Sequence, residues 1–237
     1  MAKSLKPVAR TQPTRGRPRA AKLALSRERI VDAALALIHA DGLSAFSTRK
    51  LGERLGCEAM SIYHHFPSKQ HLLDTLVDHA MDTIATAPPE AEPIERLRAM
   101  LRSYRAMANR FPALYPLLAV HRLNTPTGVA TIERIIEAVH AVVPDAELAA
   151  RHFRTLGYYI TGAALDETAG YARGPSAAEP VSDAYVAEHC PRLMASAPFF
   201  QLQHWQATYE LGLDALLARL EADGAALRPN RRRKARA

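Results

Sequence analysis

The sequence predicts an all-α fold. Apolar residues recur at intervals of three and four in one segment after another. Prolines fall between those segments, and no stretch shows the period-two alternation of a half-buried strand. With 237 residues and a hydrophobic fraction of 48%, the chain can fill one large core or two small ones. No apolar run is long enough to cross a bilayer, and none of signal-peptide length follows the basic N-terminus. The expectation is a cytoplasmic protein with no membrane partner. Cys57 and Cys190 stand far apart and read as free thiols.

Charge divides the chain. Residues 1–29 hold nine Lys or Arg against the single acid Glu28, and residues 228–237 hold six against none. The ends thus carry +14 of a chain whose net charge is +7, leaving −7 between them, the distribution of a polyanion binder with basic arms. Residues 1–25 contain Pro7, Pro13 and Pro18, many charges and few large apolar groups, and are expected to be a disordered basic arm. Within them Arg15-Gly16-Arg17-Pro18-Arg19 resembles the core of an AT-hook. Arg15, Arg17 and Arg19 serve either a narrow A·T minor groove or, more simply, the phosphates. Residues 224–237 form a basic tail.

The helices follow in order. Ser26 is placed to cap a first helix whose Ile30, Ala33, Ala34, Leu37 and Ile38 share one face and which ends at Asp41-Gly42. Ser47 or Thr48 caps a short helix reaching Leu55, with Leu51 and Leu55 inward, and Gly56 breaks it. A second short helix runs roughly over residues 58–65, anchored by Met60 or Ile62 and closed by Phe66-Pro67. Ser68 then caps a longer helix carrying Leu72, Leu73, Leu76 and Val77. Two short helices across a tight turn form a helix-turn-helix, whose second member enters the major groove of duplex DNA N-terminus first. Residues 26–80 are therefore expected to be a DNA-binding domain.

Further helical stripes run through Ile94, Leu97, Leu101 and Tyr104, through Val129 to Val143, through Phe153, Leu156, Ile160 and Ala164, and through Leu202 to Leu220. Residues 81–223 accordingly read as a helical bundle. Its semi-polar residues Tyr104, His121, His152, Tyr158, Trp205 and Tyr209 are candidates either for lining a small-molecule pocket or for plain core packing. Leu213, Leu216, Leu217 and Leu220 suit either a core or a dimer interface. No metal is expected: the adjacent His64 and His65 point about 100° apart on a helix, and His140 and His152 lack an i, i+4 partner. With no glycine-rich phosphate loop, nucleophile elbow or metal-ligand cluster, neither a cofactor nor an enzyme activity is expected.

Residues 26–80 closely resemble the DNA-binding domain of TetR-type repressors. The resemblance rests on Ser47-Thr48-Arg49-Lys50-Leu51, on Tyr63-His64-His65-Phe66 and on Ser68-Lys69. Residues 156–162 and 210–214 resemble the two dimer-forming helices of the tetracycline-repressor branch. The likeness implies roles residue by residue. Thr48, beside Ser47, binds a phosphate. Arg49 reads guanine at O6 and N7, and Ala59, Met60 and Ser61 face the bases with thymine-methyl packing and one hydroxyl. Tyr63 sets its ring on a sugar and its hydroxyl on a phosphate, His64 and His65 touch the DNA backbone, and Lys69 holds a phosphate at a helix N-terminus.

The same resemblance implies a homodimer reading a palindrome in double-stranded DNA. It also implies a repressor released by a small-molecule effector, with the helix from Ser68 to about Thr86 as the lever. Leu118, or a neighbour, stands where the tetracycline binder has the histidine that helps to hold the drug's magnesium; it is a pocket candidate of different chemistry. Two alternatives stay open: a constitutive DNA-binding protein without an effector, and an enzyme using the helical cavity, for which no specific residue speaks.

Overall fold

Serine side chains start three of the first four helices. In the computed structural model, which describes residues 24–88, 90–120, 124–169 and 177–227, Ser26 caps α1 (Arg27–Asp41), Ser47 caps α2 (Thr48–Leu55) and Ser68 caps α4 (Lys69–Met81). Each hydroxyl accepts from an amide three residues on, at 3.2–3.3 Å, a contact that stabilises a helix by about 1 kcal/mol. The five-residue α3 (Ala59–Tyr63) has no such side-chain cap and is too short to hold itself together. It depends on what it packs against. α1 ends at Gly42 with φ +81°, and α2 at Gly56 with φ +68°, both in the region that favours glycine.

Seven more α-helices follow among the described residues: α5 (Pro93–Arg110), α6 (Tyr115–Val120), α7 (Pro126–Val142), α8 (Ala146–Ala169), α9 (Asp183–His189), α10 (Pro191–Ser196) and α11 (Trp205–Leu227). Proline opens α5, α7 and α10, where its missing N–H costs nothing. Among the described residues there is no strand, and no helix is long and apolar enough to cross a membrane. The arm carrying Arg15, Arg17 and Arg19, the tail from Arg228 onward, and His121 lie outside the described residues.

Two apolar clusters hold the chain. The first joins Ile30, Ile38, Leu51, Ile62, Phe66, Leu72 and Leu76 to Met81, Met107, Leu114, Tyr115, Leu118 and Ala164, so apolar packing runs without a break from α1 past residue 80 into α5, α6 and α8. The second packs α5, α7, α8 and α11 through Leu97, Leu101, Val139, Leu156, Tyr209, Leu213, Leu217 and Leu220. Leu213, Leu217 and Leu220 are at most 1% exposed, so in this chain they are core. Along the outer side of α5, Arg102 holds Glu210 of α11 through two bonds at 2.9 and 2.7 Å, Arg98 pairs with Asp214, and Arg105 pairs with the buried Glu167 of α8.

A second polar tie joins α8 to α11. Asp223 accepts from Arg219 Nε at 2.9 Å, and His152 Nε2 lies 2.9 Å from the same oxygen. The Arg219 bond first, and His152 after it, hold the Asp223 carboxyl below the ordinary carboxylate range. A lowered folded-state pKa means that the stabilisation is complete above the ordinary value and is lost as pH falls through the lowered one. Asp223→Asn is therefore expected to flatten the acid limb of a plot of melting temperature against pH. An acid limb identical in the two proteins would remove this tie from the account.

Candidate nucleic-acid interface and ligand cavity

The helix-turn-helix is built by one close approach. An added Cβ on Gly52 of α2 would lie 2.7 Å from the Cys57 carbonyl oxygen and 3.2 Å from the Ala59 amide nitrogen, so only glycine lets the turn and the start of α3 lie this near α2. Ile62, 1% exposed, then anchors α3 in the core, leaving Met60 64% exposed. Of the two anchors the sequence allowed, Ile62 is the one used, and Met60 is free to face outward.

Around the N-terminus of α2 the polar residues converge. Ser47 is spent on the cap, which frees Thr48: its hydroxyl lies 3.2 Å from the Tyr63 hydroxyl. Lys69 Nζ donates to the Phe46 carbonyl at 3.1 Å, one residue before that cap, and sits 5.4 Å from the Phe46 ring centre. The Lys69 amine thus stands beside the N-terminus of α2, together with the Thr48 and Tyr63 hydroxyls. Three donors at a positive helix end make a ready anion site.

Arg49 points into solvent with its side chain 81% exposed and is bonded to Glu53 at 3.1 Å. Ala59 and Ser61 are half-buried, and His64 is exposed. The His65 carbonyl accepts from Arg27, whose guanidinium lies 4.2 Å from the Phe66 ring centre. These contacts fix the end of α3 against α1.

At the C-terminal end of α4 lies a cavity of about 390 Å³, walled by Met81 and by α5, α6, α7 and α8. Of the pocket candidates, the structure brings Tyr104, Leu118 and Tyr158 together on its wall. It places the other three described candidates elsewhere. His152 is tied to Asp223. Trp205 donates to the Phe200 carbonyl at 3.0 Å and lines an outer groove between α8 and α11. Tyr209, 2% exposed, donates to the Leu101 carbonyl at 2.9 Å and stacks on Tyr159. The sequence reading missed Thr131, Arg154, Thr161 and Met81 on the same wall. Arg154 and Tyr158, one helical turn apart, carry a signal that could have found one of them.

A two-helix reading motif on an all-α body with a cavity among its helices defines the two-domain class of DNA-binding regulators. The family description for bacterial regulatory proteins of the tetR family matches residues 30–76, and that for the tetracyclin repressor-like C-terminal domain matches residues 86–223. The chain belongs to the TetR family of transcriptional regulators.

Among its relatives, the HTH-type transcriptional repressor DrrR1 of Streptomyces coeruleorubidus is 29% identical over 165 residues. That is 66% of this chain and 57% of DrrR1, so the match spans little more than half of that relative's length. Among solved structures, a possible TetR family transcriptional regulator from Streptomyces coelicolor A3(2) superposes with a TM-score of 0.69 at 25% identity, covering 83% of this chain and 99% of that one. ActR from Streptomyces coelicolor, in complex with actinorhodin, superposes at 0.67 with 28% identity, covering 84% and 97%.

Proposed function

We propose that the chain is a homodimeric repressor that binds a palindromic operator and is released from it by a small molecule held in the cavity among α4 to α8. One observation carries this reading. Met81, the last residue of α4, lines the cavity and belongs to the same apolar cluster as Ile30 and Leu51 of the reading motif. Leu118 of α6 does both as well. The Thr125 hydroxyl before α7 adds a bond to Asp78 of α4. A ligand that prefers one placement of these residues shifts α4, and α4 carries the reading motif with it. The relatives point the same way, one named a repressor and one solved with a small molecule bound.

The outer faces of α8 and α11 support the dimer: Leu211 is 74% exposed, and an added Cβ on Gly162 would meet nothing within 4 Å. A partner can approach such a surface closely, placing two recognition helices about 34 Å apart.

Mapping of bound sites on the chromosome, followed by footprinting, is expected to return a palindrome with half-sites one DNA turn apart. Binding that ignores sequence would favour the constitutive reading instead. Removing residues 1–25, with their excess of Lys and Arg, is expected to weaken operator binding and flatten its dependence on salt, by about one unit of slope for each phosphate that the arm no longer neutralises. A truncated protein with the full-length slope would exclude the arm from the interface.

A further inference from the structure

We propose that the effector is an acid: a molecule with a compact apolar body and one anionic group, the body in the cavity and the anion at its mouth on Arg154. This rests on the reading of the cavity as the effector site and adds the chemistry of what enters it.

Charge comes first. Among the described residues on the cavity wall Arg154 alone is charged, and no carboxylate lies on it. Its guanidinium donates to the Tyr158 hydroxyl at 3.1 Å and lies 4.7 Å from that ring's centre, and it has no carboxylate partner within 4.0 Å among the described residues. Arg151, one turn earlier on the same helix, pairs by contrast with Glu147. A guanidinium has five N–H donors, and Tyr158 occupies one of them. Held by an aromatic face yet short of a counter-charge, Arg154 is oriented for an incoming carboxylate, sulfonate or phenolate, which it can take in two parallel bonds. A cationic ligand meets the same charge as repulsion.

The far wall asks for something different. Leu101, Ile135, Phe153 and Ile160 present apolar surface, and the hydroxyl of Tyr104 is the polar group reaching in from α5. That hydroxyl lies 3.2 Å from the hydroxyl of Tyr115, which is fully buried. Burial pushes the Tyr115 phenol up, so it stays neutral at any physiological pH. The wall away from Arg154 offers the hydroxyls of Tyr104, Thr131 and Thr161 to a carbonyl or hydroxyl and would leave a second buried charge without a partner. An acid with its charge at one end only is the ligand that leaves nothing unpaired. A volume of about 390 Å³ limits the body to a few rings or an equivalent chain.

The test uses the full-length protein and two probes with one ring system, 8-anilinonaphthalene-1-sulfonate, which is anionic, and N-phenyl-1-naphthylamine, which is neutral. Fluorescence titration is expected to show saturable binding of the sulfonate at one site per chain. Arg154→Gln is expected to weaken it about tenfold while leaving the neutral probe within about twofold and the dimer intact, and Arg154→Lys is expected to restore part of the loss. Ile135→Trp, or Ile132→Trp where the first does not fold, is expected to exclude both probes. If the tryptophan excludes both probes but Arg154→Gln changes neither, or weakens both equally, the acid assignment is wrong and the cavity reading stands. If the tryptophan variants bind both probes like the parent, the cavity is not the site and both readings fall.

Discussion

Replacing Tyr63 and Lys69 together by alanine is expected to lower affinity for a specific DNA site by about a hundredfold or more. Two hydrogen bonds to charged phosphate, at about 1.5 kcal/mol each, set that scale. The two side chains reach the same spot from different helices. Tyr63 arrives at the end of α3 and meets Thr48 at 3.2 Å, and Lys69 arrives from α4 and meets the Phe46 carbonyl at 3.1 Å. Both flank the N-terminus of α2, where unpaired amides already favour an anion. Losing Tyr63 also frees the Thr48 hydroxyl, so the damage to this corner exceeds one hydrogen bond.

The loss should be uniform across DNA sequences, because phosphates carry no sequence information, and the lost Lys69 charge should reduce the salt slope by about one for each chain bound. Arg49→Ala is the contrasting case. On the base-reading role that the family resemblance implies, its affinity loss should be confined to sites carrying the preferred base. Melting temperature and oligomeric state should change little in the double variant, since Lys69 is exposed and Tyr63 only half-buried. Operator affinity equal to that of the parent would show that this corner does not touch DNA.

How much of the molecule is legible in its sequence follows from the range of the forces involved. Caps and stripes are local, so Ser26, Ser68, Gly42 and the apolar face of α1 can be read directly. The choice between Met60 and Ile62 cannot, because a five-residue helix is too short for its periodicity to define a face. Burial against α2 decides it.

The cavity shows the same limit. Tyr104, Leu118 and Tyr158 come from α5, α6 and α8, and only the packing of those helices brings them together. His152 and Tyr158 sit on one helix, yet six residues of rotation set them about 240° apart, so one ties to α11 while the other reaches the cavity mouth. Arg154 escapes notice because a charged residue ordinarily reads as solvated surface. Its spacing of four from Tyr158 nonetheless marks a shared face. Gly52 offers a fainter sign: a glycine inside a helical pattern costs about 1 kcal/mol against alanine and asks for a reason. The reason is a contact with a segment that the sequence alone does not place.

Gly52→Ala follows from that contact and is expected to be the most damaging single methyl added to the reading motif. The new Cβ would stand 2.7 Å from the Cys57 oxygen and 3.2 Å from the Ala59 nitrogen. These are backbone atoms of the turn and of the first residue of α3, so no side chain can swing aside to make room. Moving them by the several tenths of an ångström required displaces α3 as a body, since nothing caps it and Ile62 is what fixes it in the core. Overpacking of this kind costs about 1–3 kcal/mol, a fall of several degrees in melting temperature.

DNA binding should suffer beyond the stability loss, even at temperatures where the variant is folded, because α3 no longer meets the groove at the angle α2 sets. Thermal melts and footprinting of Gly52→Ala beside the parent read the two losses separately. A Gly52→Ala protein that melts and binds like the parent would mean that α3 is not held against α2 in the way its distances describe.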